Sequence, residues 1–197
     1  MPSLNTHHYS RFTLNPLMIS CAGTTEVGSL QFTLDQIAGF SEFVAMYDQY
    51  KLMKVVLNIQ LVNNPDSLQY PGAPTLLGNG QPTCWYPKFW YIRDYDGGGS
   101  DTMTQIKERQ GAKFFVLQPN RTKSIVIRPM ATVQTYRTAT STGYSPKRLW
   151  IDIANGTDVP HYGLNYIVDA LGQDPENAYP FVIRVERKFY FACKGVR

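Results

Sequence analysis

The alternation in Met53-Lys-Val-Val-Leu-Asn-Ile-Gln-Leu61 constrains the fold of this chain more than any other segment. Met53, Val55, Leu57, Ile59 and Leu61 share one parity, while Lys54, Asn58 and Gln60 take the other. A period of two belongs to a β-strand whose successive side chains point to opposite faces, so one sheet face is buried and the other wetted. Upstream, LQFTLDQIAGFSEFVAMYDQY from Leu30 to Tyr50 reads as a short strand followed by one amphipathic helix. Asp35 supplies an acceptor for the orphan N–H groups of a first helical turn, and Ile37, Phe40, Val44 and Tyr47 recur along one stripe. A single helix spliced between two strands separates one β architecture from many.

Seven further β-type runs complete the pattern: 9–21, 29–34, 85–95, 112–117, 122–129, 161–169 and 180–193, beside 50–63. Proline and glycine fall mostly between these runs, where breakers belong. The last run is the clearest, with Phe181, Ile183, Val185, Phe189, Phe191 and Cys193 opposite Arg184, Glu186 and Lys188. Arg187 interrupts its apolar row, which means either a bulge or a charge tucked inward with a partner. The first run changes parity at Asn15-Pro16, as a bulged or edge strand does. Connections at 64–84, 96–111 and 130–160 are long, and loops of that length in a compact domain have a job. The 197 residues suffice for one undivided core. The prediction is an all-β, eight-stranded jelly roll with one short inserted helix, spanning 1–197 as a single domain.

Little points to catalysis. Cys84, His161 and Asp152 or Asp158 form no local signature of a thiol–imidazole site, and the three cysteines, Cys21, Cys84 and Cys193, read as buried thiols. His7 and His8 are adjacent and point to opposite faces of a strand. Gly97-Gly98-Gly99 reads as a loop tip, and no motif calls for a metal or organic cofactor. Asn120-Arg-Thr and Asn155-Gly-Thr match a glycosylation pattern but read as turn residues. No apolar stretch of membrane-spanning length occurs, and the N-terminal segment lacks a signal-peptide pattern, so the expectation is no membrane insertion and a cytosolic or nuclear site of synthesis.

Net charge is +4, yet the first fifty residues hold Arg11 against Glu26, Asp35, Glu42 and Asp48, while the last fourteen are strongly basic. A lopsided basic end suits an anionic partner. Trp85, Tyr86, Phe89, Trp90, Tyr91 and Tyr95 crowd one strand with rings on both faces. Burial on both sides of that strand implies a partner subunit.

With these residues in view, the chain resembles the capsid proteins of circovirus-like viruses, whose circular single-stranded DNA genomes encode a replication initiator. Phe32-Thr-Leu-Asp-Gln-Ile, Phe43 and Tyr50-Lys-Leu-Met-Lys-Val-Val carry the likeness. Val159-Pro-His-Tyr-Gly-Leu and Arg184-Val-Glu-Arg-Lys-Phe-Tyr-Phe support it, and strand order extends it from about Tyr9 to Phe191. The resemblance implies a shell of about sixty identical subunits that encloses single-stranded DNA. It also implies attachment to a host-cell receptor, with a glycan as one candidate, and residence in the virion and, during assembly, the nucleus. Members of that group begin with an arginine-rich arm, and this sequence has none: it either starts after such an arm or packages DNA differently. About sixty subunits at +4 supply only roughly +240 against one charge per nucleotide.

In a jelly roll the runs 9–21, 50–63, 122–129 and 180–193 share one sheet. The parity opposite its apolar rows places Arg11, Lys54, Arg128, Arg184 and Lys188 on one face as candidate phosphate contacts, or as solvating charges. The competing reading is a carbohydrate-binding jelly-roll module, which would use its aromatic residues singly above an open pocket.

Overall fold

The two longest alternating segments of the chain pair with each other. In a computed structural model, β4 (Tyr47–Leu61) and β12 (Phe181–Val196) run antiparallel in register from Ile183 opposite Leu61 to Val196 opposite Tyr47. The structure describes residues 5–21, 25–62, 86–95, 102–137, 142–169 and 181–196. Around this pair lie β1 (His7–Phe12), β2 (Leu17–Cys21), β3 (Glu26–Phe32), α1 (Phe40–Met46), β5 (Lys88–Ile92) and α2 (Met103–Glu108). They are followed by β6 (Lys113–Val116), β7 (Thr122–Ile127), β8 (Met130–Arg137), β9 (Thr142–Lys147), β10 (Ile151–Asp152) and β11 (His161–Asp169).

These strands form two six-stranded antiparallel sheets, the jelly-roll arrangement. The first runs β1-β12-β4-β10, with β2 also on β12 and β7 also on β4. The second runs β6-β5-β11-β8-β9, with β3 also on β11. The four runs expected to share a sheet do so. Their inner faces meet in one core, where Phe32 of the second sheet meets Phe189 of the first edge-on at 6.0 Å and both rings are fully buried. Phe89 stacks on Tyr166 at 5.5 Å and on Phe115 at 5.4 Å, filling the same core from β5.

Two parity readings change. β4 carries an extra residue: Tyr190 pairs with Lys54 but Phe191 with Leu52, so Met53 is bulged out. The buried row is therefore Tyr50 and Leu52 before the bulge and Val55, Leu57, Ile59 and Leu61 after it, with Met53 only partly buried. The first run is an edge strand broken in two, as Asn15-Pro16 suggested. Between Phe12 opposite Lys188 and Leu17 opposite Val185 the edge advances five residues while β12 advances three. Arg187 sits at that break and points inward. Its Nη1 donates to Gln36 Oε1 at 3.1 Å, its carbonyl accepts from the Thr13 N–H at 3.0 Å, and burial lowers its pKa.

The helix expected from Asp35 is not continuous. Leu34–Gln36 is a single 3-10 turn in which the Thr33 hydroxyl donates to Asp35, and Ile37 is extended and bridges Thr13. Gly39, at φ +72°, then opens α1, which ends before Tyr47. Glycine tolerates that left-handed turn, and it divides the predicted stripe. The residue that α1 buries is Phe43, whose ring meets Phe191 edge-on at 4.9 Å.

Two connections hold structure that alternation did not reveal. Within 96–111, α2 begins at a capping box: Gln105 N–H donates to Thr102 Oγ1 at 3.3 Å and Thr102 N–H to Gln105 Oε1 at 2.7 Å. Ile106 of α2, Ile92 and Ile167 form a small second core on the outer face of the second sheet, with Trp90 and Met103 packed against it. The chain's own α2 thus covers part of the outer face of the aromatic strand, while Trp90 stays only partly buried. Within 130–160 lies the β8–β9 hairpin. The expectations for 64–84, Cys84, Trp85 and Gly97-Gly98-Gly99 fall outside the described residues. No helix among the described residues is long and apolar enough to cross a membrane.

Gly163 marks a register slip between Tyr162 and Leu164 where β11 pairs with β3. A Cβ there would lie 2.5 Å from Ile127 Cγ2 and 3.4 Å from Phe32 Cε2, wedging the sheets apart. Gly163→Ala is expected to cost about 1–3 kcal/mol in chemical unfolding; a loss below about 0.5 kcal/mol would contradict this packing. His161 is 2% exposed, and its Nδ1 lies 2.9 Å from the Val159 carbonyl. Burial lowers its pKa, against smaller opposing contributions from the Val159 and Phe32 carbonyls. The unfolded chain therefore binds the extra proton, and this contribution is complete above an unfolded-state pKa of about 6.5 and lost as pH falls toward the lower folded value. Urea midpoints should drop between pH 7.5 and 5, with a shallower drop in His161→Gln. Parallel profiles for the two proteins would refute the assignment.

Candidate nucleic-acid interface

The outward parity of β12 runs Arg184, Glu186, Lys188, Tyr190, Ala192 and Lys194, because the inward parity is occupied by Ile183, Val185, Phe189, Phe191 and Cys193. Its cross-strand neighbours on β4 are Gln60, Asn58, Val56, Lys54, Lys51 and Gln49. On β1 the neighbours Phe12, Ser10 and His8 pair with Lys188, Tyr190 and Ala192. This outer face of the first sheet carries basic side chains held against aromatic rings. Lys54 Nζ lies 4.3 Å from the Tyr190 ring centre, and Lys188 Nζ lies 5.5 Å from the same ring and 5.2 Å from Phe12. Lower on the face, Lys194 and Lys51 approach the Trp150 ring at 4.5 and 5.9 Å.

The bulge at Met53 also opens a cleft of about 360 Å³, lined by His8, Met53, Lys54, Arg128, Arg148 and Tyr190 among others. Ammonium groups over exposed ring faces gain about 0.5–1 kcal/mol each. The more useful effect is orientation, since a lysine stem resting on a ring loses less freedom when it meets an anion. Rings and cations so interleaved can accept both the π-face of a base and its phosphate.

Of the five residues selected from sequence, Lys54, Arg128 and Lys188 come together here. Arg184 shares the outward parity of β12, but Glu186 neutralises it at 2.5 Å. Arg11 is a correction: it is opposite Phe189, on the inward parity, and its guanidinium lies 5.9 Å from the ring centre of Phe43 at the sandwich edge. The apolar residues that guided its placement, Phe12 and Leu14, are instead 49% and 78% exposed. Sequence reasoning missed Lys51, Arg148, Trp150, Tyr190 and Lys194. Tyr190 and Lys194 continue the parity of Lys188, a legible signal. Lys51 is concealed by the Met53 bulge, and Arg148 and Trp150 by the long connection.

Cys21 and Cys193 are buried in the core, as their reading as buried thiols expects. Burial pushes the Cys193 thiol up to about 12, and burial followed by the Glu26 carboxylate pushes Cys21 up to about 11. Thiols so raised are protonated and inert near neutrality.

Two facing antiparallel sheets joined in this order place the chain in the class of jelly-roll proteins. The chain belongs to the circovirus capsid protein family, whose profile matches residues 1–197. That family is one of structural proteins. The fold is similar to the BFDV capsid protein solved as a 60-mer, at 12% identity and TM-score 0.67, covering 99% of this chain and 96% of that one. It is also similar to the BFDV capsid protein solved as a decamer, at 13% identity and TM-score 0.57, covering 98% and 100%. A third similar structure is that of tobacco necrosis virus, at 12% identity and TM-score 0.57, covering 98% and 97%. No curated protein sequence matches the chain.

Proposed function

We propose that this chain is the subunit of a small icosahedral shell of about sixty copies, and that the outer face of its first sheet contacts a single-stranded DNA genome. The observation that carries the shell reading is the family match over all 197 residues. The jelly-roll fold is consistent with it. The DNA reading is supported by the convergence of Lys54, Arg128, Arg148 and Lys188 around Tyr190 on one open face. Attachment to a host-cell surface, with a glycan as candidate ligand, and passage through the nucleus rest on family membership alone.

Sedimentation velocity and negative-stain microscopy of the purified chain should reveal closed particles of uniform size. Monomers and small oligomers in every buffer tested would defeat the shell reading. For the DNA contact, single-stranded oligonucleotide binding should weaken steeply with salt, because each neutralised phosphate contributes about 0.7 to the slope of log K against log salt. The triple variant Lys54→Gln, Arg128→Gln, Lys188→Gln should lower that slope by about 2, and Arg184→Gln should leave it nearly unchanged. Equal slopes for wild type and the triple variant would remove this face from the DNA contact.

A further inference from the structure

The outer face of the first sheet carries two ring sites, and the DNA contact at Tyr190 uses only one of them. Strand register fixes the place of the second. Ile151 lies opposite Tyr50, so Trp150, one step earlier on an antiparallel ladder, stands level with Lys51. Lys51 lies opposite Ala192, two residues before Lys194. The Lys194 and Lys51 ammonium groups approach the partly exposed Trp150 ring at 4.5 and 5.9 Å from its centre. Neither lysine forms an ion pair among the described residues. Asp152, the carboxylate that follows Trp150, turns its Oδ1 to the Ala154 N–H at 2.9 Å.

Between the two sites the outward row of β12 holds only Ala192, flanked in register by Lys51 and His8. Its small side chain raises no wall between Tyr190 and Trp150. The distance along β12 from Lys188 to Lys194 is roughly 20 Å at about 3.3 Å per residue. A single strand covers that length with about six nucleotides at the ~3.4 Å rise of stacked bases, and with fewer when extended. In the other direction the cationic row stops at Lys188, because Glu186 comes next and holds Arg184. A polyanion lying along β12 is repelled at Glu186 and drawn toward Lys194.

We propose that Trp150, with Lys51 and Lys194, is a second nucleotide site that stacks a base of the same single strand crossing Tyr190. The proposal rests on the DNA reading and extends its footprint along β12. Indole offers a broad π-face, and stacking on it tolerates any unpaired base but no paired one, so the site selects strandedness and not sequence. A lysine over an exposed ring is held weakly. Lys51 and Lys194 can therefore turn from the indole to the phosphates on either side of a stacked base. One strand joining both ring sites makes the second contact intramolecular, which strengthens the whole without any new charge.

Binding of the full chain to an oligothymidylate longer than this path, and to an abasic strand of equal length and charge, tests the assignment. Trp150→Leu should weaken thymidylate binding about tenfold, while leaving its salt slope and the abasic affinity unchanged. Trp150→Phe, which keeps a π-face, should bind thymidylate to within about threefold of wild type. Lys51→Gln with Lys194→Gln should lower the salt slope by about 1.4. An unchanged thymidylate affinity in Trp150→Leu, or an equal loss on the abasic strand, would overturn the proposal. If Trp150→Leu fails to fold, photocrosslinking of a 5-iodouracil strand to the wild-type chain decides. A cross-link at Trp150 supports the site, and its absence there refutes it. A wild-type chain that binds neither strand would instead bring down the DNA reading itself, an outcome distinct from each of these.

Discussion

The pairing of β4 with β12 is the constraint on which the rest of the molecule depends. These two strands supply the longest continuous ladder, and every other strand of the first sheet is attached to one of them. Their inner faces contribute Leu52, Val55, Leu57, Ile59, Ile183, Val185, Phe189 and Phe191 to the core. A period-two side-chain pattern admits one register, since a slip of a single residue would expose that row. The one departure, the bulge at Met53, is where the cleft forms and where Lys51 and Lys54 come to lie on the same outer face despite their opposite parities.

The two parities of β12 differ in chemistry. Its inward side chains build the sandwich, and its outward ones build a cationic surface in which ammonium groups lie over the rings of Tyr190 and Trp150. Arg187 is the exception on the inward side. It occupies the space left where Asn15-Pro16 breaks the edge strand, with Gln36 accepting one of its hydrogen bonds and no carboxylate bonded to it among the described residues. Its cost in desolvation is accepted at the sandwich margin, not at its centre.

Much of the fold was legible because apolar alternation is strong in exactly those strands that are buried on one side and wetted on the other. Runs 50–63, 161–169 and 180–193 survive as β4, β11 and β12. The β8–β9 hairpin was not legible, since its Thr, Ser and Tyr residues carry little apolar contrast. α2 was overlooked although Thr102 and Gln105 spell its capping box, because six residues are too few to display helical periodicity. The candidate site was half legible. Lys54 and Lys188 follow from parity alone, and Arg128 lies one residue past β7 beside them. Arg11 was assigned to the wrong face because exposed Phe12 and Leu14 imitate a buried row.

By itself the sequence determined where the long alternating strands β4, β11 and β12 lie and the sign of the charge on the outward row of β12, because these follow from local composition and a period of two. Only the tertiary structure decided where that period is interrupted, which rings receive which lysines, and which basic residues are cancelled by a neighbour. Bulges, cross-strand neighbours and edge breaks depend on what a strand is paired with, and alternation along one segment carries no information about its partner.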